Sequence, residues 1–271
     1  MFLPDNIDFA ESKKYILSIR LLPSGFYFSI HCPTDETVFY QNTVIFNAHS
    51  DYLKNIEKLI FDYSFFSYNY KKINVFCVEN ETSIVPNEFY NKKLESDFLS
   101  FNYLDTKPYV TSNELPDHNS RVVWALDKSV HSFLSRALLH PNFISHLSFL
   151  VTFFYKKHNK DESALFVNFN DDKMIDMVAF RADKLILAKT FHVNNPLEDS
   201  YYIQKMWETL QLNAQLDKLY FSGKTSNHSD CINTLMKVIS KTENLSFKLP
   251  NDIKANKEVI PTEILKQLCE L

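Results

Sequence analysis

Glycine is nearly absent. The chain of 271 residues carries two, Gly25 and Gly223, where ordinary usage of about 7% would supply roughly 19. Glycine lets backbone approach a phosphate closely and turn with positive φ. A chain this poor in it offers little material for a phosphate-cradling loop. Cysteine is sparse as well. Cys32, Cys77, Cys231 and Cys269 lie far apart and form no C-x-x-C pair, which argues against a zinc knuckle. Cys77, inside an apolar run, reads as a small buried hydrophobe. All four are expected as free thiols, because Met1–Lys14 lacks the basic start and apolar run of a signal peptide. A cytoplasmic setting follows as the expectation, and the N-x-S/T matches at Asn80, Asn227 and Asn244 then carry no weight. No stretch gives about 18 uncharged apolar residues, so no membrane span is expected. A formal net charge of −4 exerts no strong pull on nucleic acid or acidic lipid. Neither a Ser-centred nucleophile elbow nor a Cys–His signature is present.

Aromatics are plentiful. The 24 Phe and 14 Tyr point to an aromatic-rich core. The length suits two lobes better than one compact core. The stretch from Ser163 to Gly223 reads as three strands in a row (Ala164–Asn170, Met174–Arg181, Leu185–Val193), a helix from Pro196 to Ala214, and a strand at Lys218–Ser222. Hairpin turns fall at Asp171-Asp172 and Ala182-Asp183. The same order occurs earlier. Strands at Tyr15–Arg20, Phe26–Cys32 and Thr37–Phe46 precede a helix that starts near His49-Ser50-Asp51 and ends near Ser67. An apolar strand, Ile73–Val78, follows.

Between and after these units the signals are mixed. Pro86–Tyr103 reads as a helix and Thr106–Ser120 as a loop or edge hairpin. Arg121–Leu126 reads as a strand, and Asp127 as the cap of a helix over Val130–Leu139. Asn142–His146 is a short strand, and Leu147–His158 a helix apolar nearly all round, which belongs in the middle of a structure. The charged stretch Lys156–Glu162 marks a lobe boundary. Past Gly223 come a polar loop, a helix over Asp230–Ser240, a last strand at Leu245–Leu249, a polar connection at Asn251–Val259 and a terminal helix begun by Pro261.

Two copies of strand–strand–strand–helix–strand, each continuing as helix–strand, resemble the actin-like ATPase fold, also called the ribonuclease H-like architecture. The chain also resembles a family of Bacteroidetes proteins of unknown function. The residues that carry this are Ile84-Val85-Pro86, Phe98-Leu99-Ser100-Phe101-Asn102, Val122-Val123-Trp124-Ala125, His146 before the central helix, and Leu219-Tyr220-Phe221-Ser222-Gly223. The resemblance covers nearly the whole chain, and its motifs are not chemically specific. It implies an α/β fold with duplicated actin-like lobes, each a three-strand meander followed by alternating helices and strands. The lobes are expected at 1–157 and 158–271, with the terminal helix over 261–271 packing back on the first.

The resemblance also implies three nucleotide-binding places. The turn after the first strand, normally an Asp before a Gly, is here Ile19-Arg20-Leu21-Leu22-Pro23-Ser24-Gly25, with one glycine and no acid. The matching turn of the second lobe, Asn168-Phe169-Asn170-Asp171-Asp172-Lys173, has acids and no glycine. The adenosine loop, normally ending in Gly-Gly, is Phe221-Ser222-Gly223-Lys224-Thr225. The candidate residues of this degenerate cleft are Arg20, Ser24, Gly25, Asn170, Asp171, Asp172, Gly223, Lys224 and Thr225.

Each has a plainer reading. Arg20 reads as a surface ion-pair partner before a phosphate ligand. Asp171-Asp172 are solvated turn residues. Gly223-Lys224-Thr225 lacks the glycine five positions earlier that a P-loop needs and reads as a strand-to-loop turn. His131 and His140 do not share a helical face, so no metal site is read from them. His146 reads as buried and hydrogen-bonded. No catalytic and no metal-binding residue is assigned. The expected function is a non-catalytic actin-like module that binds another protein. No cofactor is expected. The alternative is a divergent nucleotide-binding protein or ATPase that takes Mg-ATP in the degenerate cleft.

Overall fold

A computed structural model describes residues 7–47, 49–104, 109–170, 174–193, 196–247 and 260–268. The expected turn at Asp171-Asp172 with Lys173, the connection Asn251–Val259, positions 106–108 and 248–249, and Cys269 lie outside the described residues.

The first meander consists of β1 (Ile16–Leu22), β2 (Gly25–Cys32) and β3 (Asp35–Ile45). Helix α1 (Tyr52–Asp62) follows, with the Asp51 carboxylate accepting from the Lys54 amide as N-cap. It leads into β4 (Lys72–Cys77), which lies parallel to β1. An insert then builds a separate antiparallel sheet from β5 (Thr82–Pro86), β6 (Tyr109–Leu115) and β7 (Ser120–Leu126), with β7 central and the short helix α2 (Glu95–Ser100) against it. After the insert come α3 (Lys128–Ala137), capped by Asp127, and β8 (Asn142–Ser145). The first sheet has the order β3-β2-β1-β4-β8.

Helix α4 (His146–Lys157) leads to the second meander, β9 (Ser163–Phe169), β10 (Met174–Arg181) and β11 (Lys184–His192). Then come α5 (Pro196–Thr209), β12 (Lys218–Gly223), α6 (Ser229–Met236) and β13 (Lys241–Asn244). The second sheet has the order β11-β10-β9-β12-β13, which repeats the first strand for strand. The last described element is α7 (Thr262–Leu268).

Alternation along the strands sets what each sheet face touches. In β1, Leu17, Ile19 and Leu21 face outward into a core with Ile56 and Leu59 of α1 and Val130 and Leu134 of α3. The outer face of the second sheet packs Ile203 and Trp207 of α5 and Ile232 and Leu235 of α6. The inner faces are covered by exchange. Helix α4, from the first half, packs on β10 and β11 of the second, with Phe154 stacked on Phe166 at 4.9 Å between ring centroids. Helix α7, from the second half, packs Ile264, Leu265 and Leu268 on Leu22, Tyr27, Phe76 and Val78 of the first sheet. The two exchanged helices also touch each other.

Four expected elements differ. The helix expected over Pro86–Tyr103 is a strand, a turn and the short α2, because Thr82–Pro86 pairs with β7. Pro86 is tolerated at the end of that edge strand, where no ladder donor is needed. The helix expected to reach Ala214 ends at Thr209, and Gln211 takes a left-handed φ of 54°. The helix expected over Asp230–Ser240 is α6, which begins at Ser229 and stops at Met236. The strand expected at Leu245–Leu249 is instead β13, drawn earlier by parallel pairing of Lys241–Asn244 with Lys218–Phe221.

Both glycines sit where backbone crowds backbone. Gly223 has φ +77°, and a Cβ there would lie 2.2 Å from the Phe169 carbonyl oxygen. At Gly25 a Cβ would lie 2.6 Å from the Val44 carbonyl oxygen. Gly223→Ala combines steric overlap with an unfavourable φ and is expected to destabilise by about 2 kcal/mol or more. Urea unfolding monitored by circular dichroism checks this. An unchanged midpoint would mean that the β9–β12 junction relaxes freely.

Candidate functional site

The facing inner surfaces of the two sheets are polar. On the first, Ser18, Arg20, Ser29, His31 and Asn74 are all buried. On the second, Asn168, Asp176, Thr190 and Ser222 are buried too. A buried polar side chain needs partners, and Arg20, Asn168, Asp176, Thr190 and Ser222 find them in one network at the seam between the halves.

Arg20 lies on β1 and is 1% exposed. Its Nε meets Glu263 Oε1 of α7 at 3.3 Å, and Glu263 is fully buried. Its Nη2 donates to Asn170 Oδ1 at 2.6 Å. Asn170 in turn donates to Asp176 Oδ2. Asn168 Nδ2 donates to the same oxygen at 2.9 Å. Asn168 Oδ1 accepts from Ser222 at 2.9 Å and from Thr262 of α7 at 2.7 Å. The other oxygen, Asp176 Oδ1, accepts from Thr190 at 2.7 Å and pairs with His146 Nε2 at 2.8 Å. The opposite ring nitrogen, Nδ1, reaches the Cys77 carbonyl at 3.0 Å. One continuous chain of contacts therefore runs from α4 through β10 and the end of β9 to β1 and α7, passing between the halves three times.

The His146–Asp176 pair is electrostatically coupled. Burial works against a charged imidazole at His146, yet the charge and hydrogen bond of Asp176 outweigh it and hold the pKa above the usual value of 6.5. Burial likewise works against the Asp176 carboxylate. His146, Asn168 and Thr190 overcome that and hold its pKa below 3.8. Both ring nitrogens have an acceptor within reach, Asp176 at Nε2 and the Cys77 carbonyl at Nδ1, and the Glu79 amide also lies 3.4 Å from Nδ1.

The structure brings together Arg20, Asn170, Gly223 and Lys224 of the candidate residues. They line a cavity of about 10 Å³ with Asn168, and Ile260, Pro261 and Thr262 close it from the α7 side. That is space for at most one water molecule. Arg20 is an ion-pair partner as expected, but it is buried, where a surface position was expected. The polar sheet face and the acid of α7 draw it inward. Ser24 and Gly25 are tied elsewhere: the Ser24 carbonyl accepts from the Phe46 amide at 2.9 Å, and Gly25 pairs with Ile45 of β3. Thr225 begins a short 3-10 turn after β12 and does not line the cavity. Asp171 and Asp172 lie outside the described residues.

A larger cleft of about 690 Å³ opens nearby, against Pro23, Asp51, Glu79 and Asp127 of the first half and Met174 and His192 of the second. The N-termini of α1 and α3 point to it, but Asp51 and Asp127 already accept their free amides. Among the described residues three carboxylates and no lysine or arginine line this space, which disfavours an anion.

Sequence reading missed Asp176, Asn168, Thr190 and Glu263. The signal was available for Asp176 and Arg20, each a single charge inside an apolar strand, Met174–Phe180 and Ile16–Leu22. No local pattern marks Glu263 as the partner of a residue 243 positions earlier.

Comparison with known proteins follows the geometry. The sequence matches a family described as protein of unknown function (DUF3822) over residues 4–241. No curated protein matches it. Among solved structures, a Bacteroides thetaiotaomicron protein with actin-like ATPase fold and unknown function is similar. It is 24% identical with a TM-score of 0.81, and the match covers 96% of this chain and 98% of that one. The PilM-PilN type IV pilus biogenesis complex is similar at 12% identity and a TM-score of 0.55, over 94% of this chain and 97% of that one. The fold is actin-like.

Two outcomes are expected from the seam. Glu263→Gln removes the carboxylate that pairs with the buried Arg20 and should cost about 3–5 kcal/mol in urea unfolding, whereas Arg20→Met with Glu263→Leu should cost less than either single change. A cost within about 0.5 kcal/mol for Glu263→Gln would mean that the pair contributes nothing. The second outcome concerns pH. Asp176, with its pKa lowered, stabilises above 3.8 and loses that as pH falls through its folded value. His146, with its pKa raised, stabilises below 6.5 and loses that as pH rises through its folded value. The stability gap between wild type and His146→Gln should be widest between these two unperturbed values and narrow on the alkaline side. A gap independent of pH would show an uncharged pair.

Proposed function

The chain belongs to the DUF3822 family, and we propose that it is a non-catalytic actin-like module, a pseudo-ATPase of the cytoplasm that works by holding another protein. The observation that carries this reading is the filled place between the halves, where Arg20, Asn170 and Gly223 converge around about 10 Å³. Resemblance to active actin-like ATPases puts an acid at the first turn to hold Mg²⁺ through water. Here the inner face of β1 presents a cation, Arg20, and its charge is already taken by Glu263. A hard divalent ion needs oxygen ligands and is repelled by such a group. Phosphoryl transfer rests on positioning and charge stabilisation, and both are weakened when the metal anchor and the glycine cradle are missing.

The neighbouring cleft of about 690 Å³ gives the alternative, a divergent nucleotide-binding protein, its only structural support. Its volume suits a nucleotide. Its lining, with Asp51, Glu79 and Asp127, does not suit phosphates.

Two further points favour a binding module. A structural neighbour is solved within a two-protein complex. The inserted segment around α2 also exposes large apolar side chains: Phe89 at 67%, Phe101 at 89% and Leu104 at 101%. Exposed apolar groups of this size on an insert favour a contact surface. No helix among the described residues is long and apolar enough to cross a membrane.

Thermal shift and phosphate release with Mg-ATP test the proposal. A ligand at 100 times its dissociation constant would stabilise by about 2.7 kcal/mol. No shift and no released phosphate are expected. A shift accompanied by turnover that Asn170→Ala abolishes would establish the alternative. On the binding side, Phe101→Asp should lose a partner that wild type captures, with its thermal midpoint unchanged.

A further inference from the structure

A second pocket lies at the other end of α7, away from Arg20. Its floor is the inner face of the first sheet. The registers of β2, β1 and β4 set His31, Ile16 and Lys72 in one row across three strands, and Phe76 sits opposite Ile144 of β8. Phe149 of α4 and Lys266 and Gln267 of α7 complete the walls around a volume of about 350 Å³. This is within the size range of small-ligand sites, about 300–1,000 Å³.

Three properties of the lining define what fits. The first is buried polar atoms without partners. His31 and Asn74 line the pocket at 1% and 3% exposure. His31 Nδ1 and Asn74 Oδ1 have no hydrogen-bond partner among the described residues, although Asn74 Nδ2 donates to Gln267 at 3.3 Å. Burial pushes the His31 pKa down to about 4, so the ring is neutral near neutral pH. A buried polar atom left unpaired is unfavourable, and a ligand group that pairs with it recovers that cost. The second is charge. Lys72 and Lys266 line the pocket, and among the described residues no carboxylate does. The third is an apolar wall of Phe76, Ile144 and Phe149. Water would satisfy the polar atoms but leave that wall wet.

We propose that this pocket binds a carboxylate that carries an apolar body and, beside it, an N–H or O–H donor. The carboxylate lies toward Lys72 and Lys266, the donor meets Asn74 Oδ1, and the apolar body rests on Phe76, Ile144 and Phe149. This chemistry is shared by an N-acylated amino acid and by the C-terminal residue of a peptide. The site stands independently of the filled place around Arg20, and a free acid as its ligand would leave the protein-holding reading as it is.

Ligand-observed saturation-transfer NMR and calorimetry on the full chain test the proposal. The probes are N-acetyl-leucine, N-acetyl-leucinamide, and a hexapeptide ending in leucine with a free or an amidated C-terminus. At least one free acid is expected to bind, with its amide weaker by about tenfold or more. Lys72→Glu should weaken the acid by a similar factor. Lys58→Glu, an exposed change on α1, should leave binding unchanged. Binding of N-acetyl-leucine alone would identify a small free acid as the ligand, and binding of the peptide alone would identify a chain terminus. The proposal is overturned if neither acid binds at millimolar concentration, if the amides bind as well as the acids, or if Lys72→Glu has no effect.

Discussion

The arrangement of the two halves depends on one buried ion pair, Arg20 with Glu263. Arg20 belongs to the first sheet, and Glu263 to a helix that arrives from the second half of the chain. Both groups are buried, so each needs partners within the protein. A buried pair of this kind adds little stability over an apolar packing of the same shape, but losing one partner is costly. Its effect is to specify position. Helix α7 can slide along an apolar sheet face at modest cost, whereas Glu263 satisfies Arg20 in one place. Thr262 on Asn168 and Gln267 near Ser18 and Asn74 hold the same register from the two ends of the helix.

The second tie works in the opposite direction. His146 begins α4, a helix of the first half that packs on the second sheet, and it pairs with Asp176 of β10. Each half thus sends a helix across the seam, and each helix carries a charged residue that finds its partner there. Asn170 joins the two pairs, since it accepts from Arg20 and donates to Asp176. The residues that line the interlobe space are consumed in holding the lobes together. Among the described residues, the side chains of this place bond to one another, and that supports the proposed non-catalytic reading together with the scarcity of glycine.

Much of the fold was legible in the sequence. The second meander is marked by polar turns between apolar strands, and the first repeats its order, so the duplication could be read from periodicity. Leu147–His158 was placed centrally because it has almost no polar side, and α4 does lie between the sheets. The insert was less legible. Its strand β5 carries Pro86 and its helix α2 has six residues, so neither shows a sustained period. The seam was mostly illegible, because it is built from contacts between residues far apart in sequence. Arg20 in an apolar strand is visible as an anomaly, but its burial depends on Glu263 and cannot be inferred locally. Gly223 was read as a turn residue, and its φ of +77° beside the Phe169 carbonyl gives the physical reason.

The central claim is that the seam holds the two halves in one arrangement, whether or not nucleotide is present. The most direct measurement is the distance distribution between spin labels on exposed Lys58 of α1 and exposed Lys237 after α6, by pulsed electron resonance with and without Mg-ATP. A single narrow distribution that nucleotide leaves unchanged is the predicted result. A broad or two-peaked distribution, or a shift of several ångströms on adding Mg-ATP, would contradict it and point to a cleft that still opens and closes.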